Sequence, residues 1–141
     1  MKNSFEDKFL LGFWGYRSFG EQDTPETVAM WKDAGFNTAL SFIYHVDYKP
    51  QEMLQMLDLC KENGLKVILY DDRIHCHRLR EMSEEMYEKA VLRSVNEFGR
   101  HPAAAAFFVS DEPNAATLPL AEKAVRIVQK HSPIPAFVNF Y

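Results

Sequence analysis

Short apolar runs alternate with longer amphipathic segments along the chain. The apolar runs end in polar side chains, which is typical of strands buried in a sheet. The segments between them repeat apolar residues every three or four positions and are bounded by proline, acidic residues or glycine, which predicts helices. The predicted strands are residues 9–17, 36–43, 65–70, 103–111 and 135–141, and the predicted helices are residues 24–35, 50–64, 83–99 and about 118–131. This β-α-β-α-β-α-β-α-β order requires a mostly parallel sheet with right-handed crossovers.

Two α/β architectures fit this order. A five-stranded flavodoxin-like parallel sheet is complete at about this length. A (β/α)8 TIM barrel needs about 250 residues, and five-eighths of it needs about 156. With 141 residues, the chain would then be a single domain, the N-terminal five strands and four helices of a barrel cut after strand five.

Polar or aromatic side chains follow every predicted strand, as they do at the catalytic rim of a barrel. A doubly wound sheet instead concentrates its site at one switch point. The chain also has no glycine-rich phosphate loop after its first strand, where a nucleotide or flavin binder needs one. These observations favour the barrel. Its rim would carry Tyr16, Arg17, Tyr44, His45, Asp71, Asp72, Arg73, Asp111, Glu112, Asn139 and Tyr141.

The fourth predicted strand ends in two adjacent carboxylates, Asp111 and Glu112, followed by Pro113. Proline disfavours the helical conformation in the residue before it, so we expect Glu112 to stay extended. The C-terminal tip of a buried parallel strand is where α/β enzymes place catalytic groups such as carboxylates. The same residue types also favour solvated turns, so the stretch by itself fits both interpretations.

Residues 107–114 read Phe-Phe-Val-Ser-Asp-Glu-Pro-Asn, which resembles the acid/base signature of the clan of retaining (β/α)8 glycoside hydrolases. Strand one and the approaches to strands two and three also resemble this clan, in residues 12–17 (Gly-Phe-Trp-Gly-Tyr-Arg), 31–38 and 60–71. The resemblance implies hydrolysis of O-glycosidic bonds, a carbohydrate substrate and no cofactor. It makes Glu112 the general acid/base and places Asp111, where the clan usually has asparagine, beside a sugar hydroxyl.

Retaining glycosidases use two carboxyl groups about 5–5.5 Å apart, one as proton donor and one as nucleophile. The clan carries the nucleophile on strand seven, which lies beyond the five strands predicted here. The resemblance therefore implies that this chain supplies the acid/base half of the site and is inactive alone. Apolar strands with open edges also predict self-association, or pairing with the missing part of the barrel.

Several residues near the predicted rim are candidates for contact with a sugar. The aromatic ones offer flat faces to a pyranose ring, although such residues more often belong to a core. The arginines can hold substrate hydroxyls or form structural ion pairs with Asp71 or Asp72. The predicted substrate-binding residues are Asp111, Trp14, Tyr16, Arg17, Tyr44, His45, Asp71, Arg73, Asn139 and Tyr141.

Composition narrows the classes of partner. The net charge of −4 and the pI of about 5.7, without a basic stripe, argue against nucleic acid. No apolar run is long enough to span a membrane, and no signal peptide precedes the first strand, so the default location is cytoplasmic. His75 and His77 have no second ligand cluster, so no metal site is predicted.

Two other functions stay open at this point. A barrel can keep its rim without catalysis and only bind carbohydrate. A compact flavodoxin-like or receiver-like module can instead use Asp71 and Asp72 as an acidic metal or phosphoacceptor site.

Overall fold

A computed structural model describes residues 9–15, 20 and 23–140 of the chain. These residues form five strands and four α-helices in alternation. The strands are β1 (Gly12–Phe13), β2 (Thr38–Leu40), β3 (Lys66–Leu69), β4 (Ala104–Asp111) and β5 (Ala136–Asn139), and the helices are α1 (Pro25–Asp33), α2 (Pro50–Glu62), α3 (Glu84–Glu97) and α4 (Leu118–His131). Among the described residues, no helix is both long and apolar enough to cross a membrane.

The order of strands across the sheet is β1-β2-β3-β4-β5, and every neighbouring pair is parallel. A flavodoxin-like sheet has the order 2-1-3-4-5, so the sequential order excludes that alternative. Sequential parallel strands joined by helices are the arrangement of a (β/α) barrel. The predicted fold class, a partial TIM-barrel-type α/β fold, is therefore confirmed. Self-association through the strands at the two edges of this sheet stays a prediction.

The observed strands are shorter than the apolar stretches of sequence that predict them. Next to β1, the side chain of Asn37 adds to the backbone pairing. Its amide donates to the carbonyl of Phe9 at 2.8 Å and its oxygen accepts from the N–H of Leu11 at 3.0 Å, while its backbone N–H donates to the carbonyl of Leu11. The segment between β3 and α3, for which the sequence pattern predicts no strand or helix, forms two short 3₁₀ helices, Asp72–Ile74 and Cys76–Arg80.

Two helices end at glycines with left-handed backbone, Gly35 with φ 88° and Gly64 with φ 74°. After α2, the N–H of Gly64 donates to the carbonyl of Lys61, and the N–H of Leu65 donates to the carbonyl of Cys60. This pair of bonds is the Schellman pattern, which satisfies the last helical carbonyls and turns the chain into β3. Residues other than glycine are strained at such φ values, so the two glycines mark the helix ends, and the predicted ends at residues 35 and 64 lie two residues beyond the observed ones.

Alternate residues of the strands face two different cores. Val67 and Leu69 pack in the larger core, which also contains the buried residues of all four helices. Ile68 packs with Leu40 and Phe108 in a smaller core on the opposite face of the sheet. We call these the helix side and the inner side, because the second corresponds to the filled interior of a barrel.

Gly99, just after α3, leaves no room for a side chain. A Cβ atom there would lie 3.0 Å from the carbonyl oxygen of Val95 and 3.1 and 3.2 Å from ring atoms of Phe107. Phe107 is itself fully buried, so it has little room to move. We expect Gly99→Ala to lower the free energy of unfolding by about 1–3 kcal/mol, measured by urea denaturation.

Gly15→Ala is the matched control, because a Cβ atom at Gly15 would have no heavy atom within 4 Å. Its effect should stay within about 0.5 kcal/mol. Equal losses at Gly99 and Gly15 would contradict the packing described here.

Candidate functional site

A buried carboxylate organises the segment after β3. Asp71 is 0% exposed and accepts hydrogen bonds from the guanidinium group of Arg73 at 2.6, 2.9 and 3.1 Å. It also accepts from the backbone N–H of Arg73 at 3.0 Å and from the hydroxyl of Ser94 on α3 at 2.6 Å. A carboxylate removed from water requires such a set of donors, because burial of an unpaired charge is very costly.

Arg73 ties this segment to α3. Its guanidinium donates to Glu97 at 2.7 Å and lies over the ring of Tyr44, 4.8 Å from the ring centre. Burial acts to lower the pKa of Arg73, but the bonds to Asp71 and Glu97 outweigh it, so the pKa is raised. Arg73 therefore stays charged in the folded protein.

Three predicted substrate-binding residues thus lie on the helix side of the sheet. Asp71 and Arg73 form the structural ion pair that was the second interpretation of the arginine. Tyr44 is 1% exposed, and its hydroxyl donates to the carbonyl of Tyr48 at 2.8 Å. The expected position of Tyr44 and Asp71 at an open rim is corrected, because both side chains are enclosed between the sheet and the helices.

The next carboxylate along the chain, Asp72, faces a different set of groups. Its oxygens lie 3.7 Å from Nδ1 of His45 and 3.5 Å from Nε2 of His77, and they accept a hydrogen bond from the guanidinium of Arg78. The side chain of Asp72 is 13% exposed, whereas those of His45 and His77 are 47% and 39% exposed. Asp72 is therefore a half-buried acid beneath two histidines that contact solvent.

His75 is held between rings. Its Nδ1 lies 2.6 Å from Nδ1 of His77, and its ring stacks on Tyr70 with 5.7 Å between ring centres and 28° between planes. Phe108 lies 5.8 Å from it on the inner side. Burial, followed by the nearby His77, lowers the pKa of His75 to about 4. At neutral pH the imidazole is therefore uncharged.

Asp111, at the end of β4, belongs to the same environment. One of its oxygens accepts from the side-chain amide of Asn139 at 2.8 Å. Burial, followed by the charges of Asp72 and Asp111, raises the pKa of Tyr70 to about 12. The charge of Asp111 also acts on His75. We call this group the edge cluster; its members are Tyr70, Asp72, His75, His77 and Asp111.

Glu112, the predicted general acid/base, lies in the turn after β4. Its φ of 41° is in the left-handed region, so the prediction of extended backbone is wrong. The N–H of Glu112 donates to the carbonyl of Asn139 at 2.9 Å, which holds the turn against the end of β5. Pro113 disfavours the right-handed helical conformation at Glu112 but does not by itself select the extended one. The side chain of Glu112 is exposed to solvent.

The other predicted site residues are divided between the inner side and the undescribed part of the chain. Trp14 is 43% exposed, and its ring lies 5.1 Å from Phe108 and 6.3 Å from Phe137. Contact of Trp14, His45, Asp111 and Asn139 with a ligand stays a prediction. The predicted residues that lie outside the described ranges are Tyr16, Arg17 and Tyr141.

Only weak signals in the sequence pointed to the histidines of the edge cluster. The pattern His75-x-His77 after a strand was considered only as a metal pair. Two ligands of a tetrahedral zinc ion lie about 3.3 Å apart, so ring nitrogens 2.6 Å apart fit a shared proton better. Within the described ranges, no group of three or more His, Cys, Asp or Glu is arranged to hold a metal ion.

No family model and no curated protein matches this chain. Among solved structures, the crystal structure of an HpcH/HpaI aldolase from Desulfitobacterium hafniense DCB-2 is similar, with a TM-score of 0.44 and 14% sequence identity. The match covers 84% of this chain and 37% of the aldolase chain. The chain thus spans well under half the length of that protein.

The predicted function, retaining hydrolysis of glycosidic bonds, is corrected by these findings. No glycoside hydrolase model matches the chain, and the solved structure described above is that of an aldolase. The specific part of the resemblance was the short Asp-Glu-Pro motif at residues 111–113. In the structure this motif forms a turn with an exposed glutamate, which was the other interpretation of the stretch.

The Asp71–Arg73 pair can be tested by removing one charge. Asp71→Asn keeps the shape of the side chain but leaves the buried Arg73 with Glu97 as its remaining carboxylate partner. We expect a loss of about 3 kcal/mol in the free energy of unfolding, measured by urea denaturation. Glu85→Gln, which breaks an exposed pair with Lys89, should cost less than about 0.5 kcal/mol. A loss at Asp71 no larger than this control would contradict the role given to the pair.

His75 should make stability depend on pH. Its pKa is about 4 in the folded protein against an ordinary value of 6.5, so the unfolded chain binds the proton more tightly. The contribution of His75 is therefore complete above about pH 6.5 and is lost as the pH falls towards 4. The charged groups that act on it are His77, Asp72, Asp111 and Arg78. The loss should be on the order of 2 kcal/mol, because partial exposure reduces the full effect.

The measurement compares urea denaturation of the native protein and of His75→Gln at several pH values from 7 to about 4. Glutamine does not titrate, so the stability advantage of the native protein over the variant should shrink as the pH falls. An advantage that stays constant over this range would show that His75 titrates normally.

Proposed function

We propose that the edge cluster is the acid–base centre of a (β/α)-barrel enzyme that moves a proton at the carbon next to a carbonyl group. The substrate would be a small polar carbonyl compound. The observation that carries the proposal is the neutral imidazole of His75, held on aromatic rings in the field of two carboxylates, Asp72 and Asp111. Perturbed titratable groups of this kind concentrate at functional sites.

The position of the cluster supports this proposal. The strands are parallel, so β3 and β4 have their C-terminal ends at the same edge of the sheet. Tyr70, Asp72 and His75 follow the end of β3, and Asp111 is the last residue of β4. Enzymes with this type of fold place their reacting groups at that edge.

The edge cluster contains both hydrogen-bond donors and a proton acceptor. Tyr70 and the neutral His75 can donate a hydrogen bond without losing the proton at neutral pH, because the pKa of Tyr70 is about 12 and His75 is uncharged. The carboxylate of Asp111 is a proton acceptor. The cluster therefore contains groups for both parts of an acid–base step.

The step itself is a proton transfer with no covalent intermediate. The carboxylate of Asp111 takes the proton from the carbon, and the electron pair of the C–H bond forms a carbon–carbon double bond. The carbonyl electron pair moves to its oxygen, which accepts a hydrogen bond from an N–H of His75. Return of the proton reverses these changes. A nucleophile is not required, and Cys76 is buried with its thiol donating to Ser110 at 3.3 Å.

The test is exchange of carbon-bound hydrogen in D2O. The protein is incubated with a panel of small carbonyl compounds, including pyruvate and dihydroxyacetone, and proton NMR follows loss of the signals next to the carbonyl group. We expect exchange faster than in buffer with at least one compound. Asp111→Asn and His75→Gln should each slow it by about 10²-fold or more.

His101→Gln is the matched control. His101 precedes β4 at the opposite edge of the sheet, and its ring lies 3.1 Å from Asp58. The variant should exchange at the native rate. Protein-dependent exchange with none of the compounds, or exchange that survives both Asp111→Asn and His75→Gln, would overturn the proposed function.

A further inference from the structure

The contact between His75 and His77 fixes where their protons lie. Two ring nitrogens 2.6 Å apart need one proton between them, carried by one Nδ1 and accepted by the other. The backbone N–H of His77 also points at Nδ1 of His75, at 3.5 Å. A backbone N–H can only donate, so Nδ1 of His75 is the acceptor. The proton of the pair therefore belongs to Nδ1 of His77.

This assignment determines the tautomer of His75. A neutral imidazole carries one proton, and Nδ1 of His75 is already an acceptor, so the proton is on Nε2. The ring cannot turn over easily, because it is stacked on Tyr70 and also contacts Phe108. The Nε2–H group of His75 is therefore a donor of fixed position.

Asp72 helps to orient the ring of His77. The Nε2 atom of His77 lies 3.5 Å from Oδ1 of Asp72, at the opposite end of the ring from the contact with His75. The ring of His77 is therefore held with Nδ1 directed at Nδ1 of His75.

We propose that His77, held between Asp72 and His75, is a positioning residue that locks His75 in the Nε2–H tautomer. The importance of this tautomer for catalysis rests on the proposed function, in which His75 donates a hydrogen bond to the carbonyl oxygen. In the other tautomer Nε2 would be an acceptor and would repel that oxygen. His77 does not itself contact the reacting atoms in this proposal.

The tautomer can be measured without any substrate. Long-range 15N–1H NMR of protein labelled at histidine distinguishes protonated from unprotonated ring nitrogens. At about pH 7 we expect the Nε2–H pattern for His75. In His77→Ala we expect the two nitrogens of His75 to report a mixture of tautomers, whereas His77→Asn, whose amide can still donate, should restore the single tautomer at least partly.

Two further measurements complete the test. His101→Gln should leave the His75 pattern unchanged, and backbone amide spectra of all variants should show an intact fold. In the exchange assay, His77→Ala should lose about 10- to 100-fold in rate, the usual cost of removing a group that orients a catalytic side chain. His77→Asn should recover part of that loss.

The inference and the proposed function fail separately. A native His75 protonated on Nδ1, or one that keeps a single Nε2–H tautomer in His77→Ala, would overturn the inference whatever the exchange assay shows. If His77 fixes the tautomer of His75 as proposed but no compound shows exchange, only the proposed function is overturned.

Discussion

The segment that carries the edge cluster depends on the burial of one carboxylate, Asp71. Its side chain is satisfied by Arg73 and Ser94, and its backbone forms a bridge with Tyr44 that extends the pairing of β2 with β3. The N–H of Asp72 then donates to the carbonyl of Tyr44 at 3.0 Å. The backbone is therefore held at Asp71 and at Asp72, where the first 3₁₀ helix begins. A buried charge tolerates little movement, because any loosening leaves it unpaired in a medium of low polarity.

Two adjacent carboxylates have opposite roles because side chains alternate along extended chain. The side chain of Asp71 points to the same face as that of Leu69, two residues earlier. This face is the helix side, where Ser94 of α3 donates a hydrogen bond to Asp71. Asp72 instead meets His45 and His77 at the edge of the sheet. The same alternation makes one acid a structural group and places its neighbour at the edge of the sheet, beside two histidines that contact solvent. A shift of one residue in this segment would exchange these environments and bury an acid without its arginine.

The sequence predicted the elements well, because each was fixed by local physics. Apolar periodicity identified the five strands and four α-helices of the described residues, and glycines such as Gly35 and Gly64 marked the helix ends. The order of strands in the sheet could not be read from periodicity, which is the same for a barrel and a doubly wound sheet. The polar strand ends, which favoured the barrel, were the better guide, and the observed order agrees with them.

The site was predicted less well, because its members are joined by tertiary contacts. The His75-x-His77 pattern shows two histidines but not the 2.6 Å contact between their rings. The ion pair of Asp71 with Arg73 was one of two open interpretations, and only burial decides between them. The turn at Glu112 depends on a hydrogen bond to Asn139, a residue that is distant in sequence. Motif resemblance at residues 111–113 could not supply this information.

The unusual acidity of His75 follows more from the fold than from its charged neighbours. Burial is the largest cause of its lowered pKa, while the carboxylates of Asp72 and Asp111 act in the opposite direction. That burial comes largely from aromatic packing, since Phe108 contacts His75, Tyr70 and Trp14 and is itself 0% exposed. Aromatic side chains on the inner side of the sheet thus pack against His75 next to the charged groups at the edge. His75 stays neutral beside two carboxylates because its burial outweighs their attraction for its proton.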